Sequence, residues 1–370
     1  MKVQTSNAST TPGSVVREAA EATAPPLLGP RGADDTVGAS TPARPWWSAV
    51  GSPAGRALVA LILVLLLGSW FNAEGAFFKS GTHRDAWRQM SVVGILALGM
   101  TPVIITGGID LAVGSVLALG AVALAKLSIH AGYPAWAAVP LVLLLSSATG
   151  LVSGGLVAWF RLQPFIATLA MMVFARGLAK TLSGGMKVST AVQTADGSYQ
   201  YVEVPALFRA IDSTVLGDNI SVVTLIFAGC AAVAWVLLAK HTWGRQLYAI
   251  GGNEAAARLS GLPVNRAKIL AYIVCGLLAG VAGLCQAAQE QQGDPEAGIA
   301  YELSAIAVVV IGGTSLMGGR GGIGLTIIGT FTIGYLEKIL SINAVPEANR
   351  LMLTGAIIVA AVLAQSRGKA

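Results

Sequence analysis

From about residue 53 onward the chain alternates between long apolar runs and short polar turns. The runs lie at roughly 56 to 72, 90 to 107, 111 to 129, 134 to 158, 164 to 182, 220 to 240, 268 to 288, 301 to 317, 321 to 340 and 349 to 365. About 20 apolar residues carry an α-helix across the hydrocarbon of a bilayer. The pattern predicts an all-α, polytopic helical membrane protein with about ten transmembrane helices over residues 53 to 370, surrounded by membrane lipid. Residues 1 to 52 are rich in Ala, Ser, Thr, Pro and Gly and have no periodic apolar face, which reads as a disordered cytoplasmic tail. The first apolar run starts too late for a short cleavable signal, so that run itself is expected to direct insertion.

Two polar stretches interrupt the runs. Residues 183 to 219 form the one long loop on the external side, with a short strand expected at Tyr199 to Val204. Residues 241 to 268, HTWGRQLYAIGGNEAAARLSGLPVNRAK, form a loop on the cytoplasmic side. His241, Arg245, Arg258, Arg266 and Lys268 face the single acid Glu254 there, the asymmetry of a loop kept inside. Asn253 is placed to cap a short helix, Glu254 to Leu259 to form it, and Gly261 with Pro263 to end it. Such a helix between spans suits docking to a partner; a basic loop that only sets topology has the same appearance.

Composition moves the reading away from two or three soluble domains. The 370 residues are 54% hydrophobic and 11% charged, with mean hydropathy +0.69. The net charge of +6 does not indicate nucleic acid, because the cations sit in the tail and at the ends of apolar runs. With the N-terminus inside, Arg161, the 241 to 268 loop, Arg320 and the C-terminal tail fall on the cytoplasmic side, and the acidic stretch 289 to 298 falls outside. Residues 73 to 89, with Lys79, Arg84 and Arg88, are the exception. Glu74 and Asp85 partly balance them, or the segment folds back at the interface. Cys230, Cys275 and Cys285 lie in apolar runs without metal-ligand spacing, so neither a disulfide framework nor a metal site is indicated.

Catalytic motifs are absent: there is no GxxxxGK[ST] phosphate loop, no HExxH and no GxSxG, and His83, His130 and His241 are isolated. The chain does not read as an enzyme, and nucleotide hydrolysis would need another subunit. Two Gly-rich breaks remain. In ITGGIDLAVGS, residues 105 to 115, Gly107 and Gly108 let the backbone leave the helix and Asp110 can accept from amides near Val113. Unwound backbone lining a solute route and a tight capped turn both fit. IGGTSLMGGRGGIG, residues 311 to 324, holds seven glycines in fourteen residues, too many for a stable helix; it is a mobile cytoplasmic turn or a hinge along the pathway. Arg176 lies two thirds of the way along the fifth run, either reaching the outer interface or facing a water-filled cavity. Lys180 can snorkel, and Glu302, Glu337 and Lys338 sit near run ends. Gly150, Gly154 and Gly155, with Gly276, Gly280 and Gly283, suit close helix packing.

ITGGIDLAVGSVLAL, QPFIATLAMMVFARGLA, GRQLYAIGGNEAAARLSGLPVNRAKI and YELSAIAVVVIGGTSLMGGRGG, in that order, resemble the permease subunits of bacterial ATP-binding-cassette importers for monosaccharides, over about residues 90 to 365. The resemblance implies a ten-span subunit of the cytoplasmic (inner) membrane that works as a pair with a second permease subunit, expected to be another copy of itself; it also implies an ATPase subunit that binds the ATP, and an extracytoplasmic sugar-binding protein. The permease itself would hold no cofactor. The coupling helix of such importers maps onto Asn253 to Gly261, with Glu254, Ala255, Ala256 and Arg258 as contacts; Ala255 stands where the coupling motif usually has Glu. The family raises the first Gly break, with Gly107 and Gly108, as a pathway element, Asp110 remaining a cap first; Arg176 is a further pathway candidate by its position in the fifth run. A branched-chain amino acid or nucleoside permease, and an ion-coupled transporter, are the alternatives, although no acidic or His relay lies at mid-span.

Overall fold

The computed structural model describes residues 52–193 and 196–367. The expected disordered tail therefore lies, apart from Ser52, outside the described residues. Thirteen helices occur among them: α1 Pro53–Trp70, α2 Ser80–Ile105, α3 Val113–Ala125 with a π-turn Lys126–His130, α4 Ala135–Ala158, α5 Pro164–Ser183, α6 Ala206–Asp212, α7 Val222–Trp235 with a π-turn Val236–Lys240, α8 Thr242–Gly252, α9 Glu254–Leu259, α10 Val264–Glu290, α11 Tyr301–Ile311, α12 Ile323–Ile342 and α13 Glu347–Arg367.

All ten apolar runs are helical. Eight of the resulting helices are long and apolar enough to cross a membrane, while α11 has only 11 residues. The eighth run, expected to continue to 317, stops at Ile311 because Gly312 and Gly313 follow, and Gly313 takes φ +103, a conformation open to glycine and costly for other residues.

The centre of the bundle is α10, packed by α4, α3 and α2. Small residues allow this. A Cβ added at Gly150 of α4 would fall 2.1 Å from the Tyr272 carbonyl oxygen, and one at Gly276 of α10 would fall 2.4 Å from that of Ser146, so the two backbones touch where side chains would hold them apart. Gly154, Gly280 and Gly283 make similar approaches, whereas Gly155 faces only Trp159, the residue that caps its own helix.

The outer end, as the charge pattern assigns it, carries the segment 183 to 219. Strands β1 Ala191–Gln193 and β2 Tyr199–Tyr201 pair antiparallel with Val192 opposite Gln200. Strands β3 Thr214–Val215 and β4 Ile220–Ser221 form a second small pair. Phe208 of α6 is fully buried, which anchors this part of the loop. The same segment accounts for the basic exception at 73 to 89. Arg88 forms an ion pair with Asp212, and Arg84 Nη1 donates to the Asp218 carbonyl at 2.8 Å. Arg88 is thus neutralised across the chain and Arg84 locally by Asp85, which lies 3.9 Å from it.

Candidate functional site

Two non-helical segments enter the bundle from opposite ends. The first, 106 to 112, begins where α2 stops at Ile105. Gly107 takes φ +79 and the Gly108 amide donates back to the Val103 carbonyl at 3.1 Å, so the chain turns back along α2. A side chain at Gly108 would meet the Tyr272 hydroxyl, 2.6 Å from its Cβ. That hydroxyl is buried and has no hydrogen-bond partner among the described residues. Asp110, buried to 3% exposure, accepts from the Ala112 amide at 2.9 Å and contacts the Cys275 thiol. The expected acceptance from amides near Val113 is realised one residue earlier, as an Asx-type turn; Ala112 is the residue before α3 and has no side-chain cap. Cys275 lies eleven residues into α10, roughly 16 Å from its start at 1.5 Å per residue, so Asp110 stands well inside the bundle.

The second segment, 291 to 300, descends from the end of α10. Gln291 leaves the helix at φ 53, and Val188 and Gly293 exchange amide hydrogen bonds of 2.8 Å. From Gly293, packed on Ala121 to Ala125, the chain runs to Gly298, packed on Gly114 and Leu117. It thus follows α3 inward, away from His130, whose ring lies 3.2 Å from the Ser189 carbonyl at the outer end. Gly114 is sixteen residues from His130, about 24 Å along a helix.

The two segments meet at Gly114 and Gly298. A Cβ at Gly114 would be 2.2 Å from the Gly298 carbonyl oxygen, and one at Gly298 would be 2.7 Å from that of Gly114. Irregular backbone at membrane depth persists only within protein or beside a water-filled cavity. The junction is enclosed by protein, and a cavity of about 410 Å³ adjoins it, lined by Ser115, Arg176, Ile299, Ala300 and Glu302 among others. Arg176 faces this cavity and also braces the second segment. Its Nη1 donates to the carbonyls of Pro295 at 2.6 Å and Ala297 at 2.8 Å. Lys180 pairs with Glu296 and Lys187 with Asp294, each at 3.0 Å, so Lys180 does more than snorkel. The structure thus joins Gly107, Gly108 and Asp110 to one segment and Arg176 to the other. Sequence reasoning passed over Ser115 and left Glu302 at the interface; the polar pattern VGS after one break and YEL after the other was the available signal.

At the cytoplasmic end, α8 buries Trp243, Gly244, Leu247 and Ile250, positions that share one helical face. Trp243 Nε1 donates to the Ala267 carbonyl at 3.1 Å, which fixes α8 to α10. Asn253 joins α8 to α9, and its side chain accepts from the Ala256 amide at 3.0 Å. Gly261 takes φ +79 just after the helix. Ala255, Ala256, Arg258 and Gly261 are exposed, and Leu259 is 90% exposed. Glu254 accepts from Lys268 Nζ at 2.6 Å and Arg258 Nη2 at 3.1 Å. Burial pushes its carboxyl up, but the hydrogen bonds and charges of Lys268 and Arg258 outweigh this and hold it below its ordinary value of 4.5. Beside α9, a hollow of about 760 Å³ opens against Arg161 to Pro164 of the α4–α5 turn.

The Gly-rich stretch 311 to 324 packs onto both features. The Gly319 amide donates to the Ile105 carbonyl at 2.9 Å, and the Tyr248 hydroxyl donates to that of Gly321, also at 2.9 Å. Gly251 lies between Ile105 and Gly319 with no room for a side chain. Loop, first break and second break therefore form one contact. No group of three His, Cys, Asp or Glu side chains that could hold a metal occurs among the described residues.

Residues 85–362 match the family described as branched-chain amino acid transport system / permease component. The chain belongs to this family. The permease is 40% identical over 315 residues to a ribose import permease protein of Haemophilus influenzae, covering 84% of this chain and 92% of that one. It is 33% identical to a fructose import permease protein of Bifidobacterium longum, covering 85% and 90%. It is 32% identical to a D-allose transport system permease protein of Escherichia coli, covering 83% and 90%. No solved structure matches it. The permease is a multi-pass protein of the cytoplasmic membrane.

Proposed function

We propose that the permease is the membrane-spanning subunit of an ATP-driven importer that moves a monosaccharide. An extracytoplasmic binding protein delivers the sugar, a separate ATPase subunit binds and hydrolyses the ATP, and two copies of the permease form the membrane unit. The sugars in the names of the relatives, ribose, fructose and allose, support this cargo.

The observation that carries the coupling half is the path from α9 inward. The exposed helix Glu254–Leu259 is joined through Asn253 alone to α8, and the last turn of α8 holds Gly251 in backbone contact with Ile105 and Gly319. A push on α9 is thereby transmitted to the start of the first non-helical segment and to the 311 to 324 stretch. Asn253, Glu254, Ala255, Ala256, Arg258 and Gly261 form the docking surface for the ATPase in this reading. Gly107, Gly108, Asp110 and Arg176 lie along the solute route.

The test is reconstitution of the permease with its ATPase and binding protein in liposomes, measuring uptake of ribose and of leucine. ATP-dependent ribose uptake is expected. A permease that moves ribose without any ATPase overturns the reading. Uptake of leucine in place of ribose favours the second reading, a branched-chain amino acid permease, which the family description supports.

A further inference from the structure

Buried polar groups are costly at membrane depth and mark functional positions. Arg176 stands twelve residues along α5, roughly 18 Å from its cytoplasmic end, and Glu302 lies in the first turn of α11. Both face the 410 Å³ cavity beside the Gly114–Gly298 junction. They do not form an ion pair within 4.0 Å, so a guanidinium and a carboxylate look onto the same space without closing it. Among the described residues only Nη1 of Arg176 is engaged by backbone carbonyls, which leaves donors on Nε and Nη2. Ser115 adds a hydroxyl, while Met172, Val173 and Ile299 make the remaining wall apolar.

With a sugar as cargo, this mixture suits a polyhydroxylated ring. A carboxylate accepts from two neighbouring hydroxyls, a guanidinium donates to two, and the apolar wall takes the C–H face of a sugar ring. The volume falls in the range of about 300–1,000 Å³ usual for small-molecule sites. We infer that this cavity is a hydroxyl-binding subsite for a neutral monosaccharide on its way through the membrane, with Glu302, Arg176 and Ser115 as its polar contacts. The inference rests on the sugar-importer reading and deepens it. The pair Lys180–Glu296 ties α5, and the pair Lys187–Asp294 the loop just after it, to the descending segment, so the subsite sits where α5 and that segment are held together.

The decisive experiment is protection of an introduced thiol. Val173 lines the cavity and is not part of the buried core, so Val173→Cys, in a Cys230→Ala background, places a thiol on the cavity wall without disturbing the core. Phe165, on the same helix but away from the cavity, provides the control as Phe165→Cys. With the full-length permease in lipid nanodiscs, ribose is expected to slow labelling of Val173→Cys several-fold and to leave Phe165→Cys unchanged. In the reconstituted importer, Glu302→Gln is expected to lower ribose uptake about tenfold, the size of one lost hydrogen bond to a charged group, and Glu302→Asp to recover part of it. If wild type imports ribose but ribose does not slow labelling of Val173→Cys, the subsite assignment falls and the importer reading stands, whatever Glu302→Gln does. If leucine is imported and protects Val173→Cys while ribose does neither, the sugar reading falls and takes the hydroxyl-binding assignment with it.

Discussion

The backbone of Gly251 rests against the carbonyl of Ile105 so closely that a Cβ at Gly251 would lie 1.8 Å from that oxygen. Its neighbour Gly252 has open space where a side chain would go. Gly251→Ala is therefore expected to destabilise the detergent-solubilised permease by about 1–3 kcal/mol through overpacking, and Gly252→Ala to leave it near wild type. A thermal shift assay on the two variants checks this; equal melting temperatures would show that the α8 end moves freely away from α2.

The Gly114–Gly298 junction makes a second contrast. Gly114→Ala forces two backbones apart, whereas a Cβ at Gly120, six residues further along α3, meets its neighbours at 3.5 Å or more, ordinary contact. Gly114→Ala should abolish transport or expression, while Gly120→Ala should retain both. Measured uptake normalised to membrane protein decides, and loss of function in both variants would remove the special status of the junction.

Ala256 is exposed on α9, so Ala256→Asp should leave the isolated permease folded. In a complex it would bury a charge against the ATPase, costing on the order of 2 kcal/mol or more. Co-elution with the ATPase and stimulation of hydrolysis by loaded binding protein are expected to fall. Normal values for both would leave the 241 to 268 loop as a topology signal only. Gly261→Trp is a weaker probe than its position suggests, because φ +79 there strains any side chain irrespective of docking.

Glu254 gives a pH dependence. Its carboxyl is held below 4.5 in the folded protein by Lys268 and Arg258, against the upward push of burial. The stabilisation is present above the unfolded value and is lost as the pH falls through the lower folded value. Because the side chain is 44% exposed, solvent screening keeps the effect small. Hydrogen exchange of the α9 amides should quicken as the pH is lowered below 4.5, after correction for intrinsic rates, and Glu254→Gln should remove that change. An unchanged profile in the variant would show that the pairs with Lys268 and Arg258 do not hold α9.

The sequence by itself determined the apolar runs and hence the helices, because a bilayer demands about 20 apolar residues with internally satisfied backbone. It also determined α9, since capping by Asn253 and termination at Gly261 are local events that depend on a few adjacent residues. The short α11 shows two local readings in competition: the run to 317 is apolar enough to look like a span, but the glycines from 312 onward, too many for a stable helix, end it at Ile311.

Tertiary structure alone decided how the breaks are used. Nothing near Gly298 in the chain indicates that it meets Gly114, 184 residues earlier, or that Gly251 joins Ile105 to Gly319. These are contacts between backbones, and a glycine carries no side chain whose chemistry could announce its partner. Arg88 and Asp212 are similar: each charge is visible in the sequence, but their pairing depends on α6 being anchored by buried Phe208. Periodicity and capping act over a few residues and are written locally, whereas the site arises from close packing between distant segments, which only the folded chain brings about.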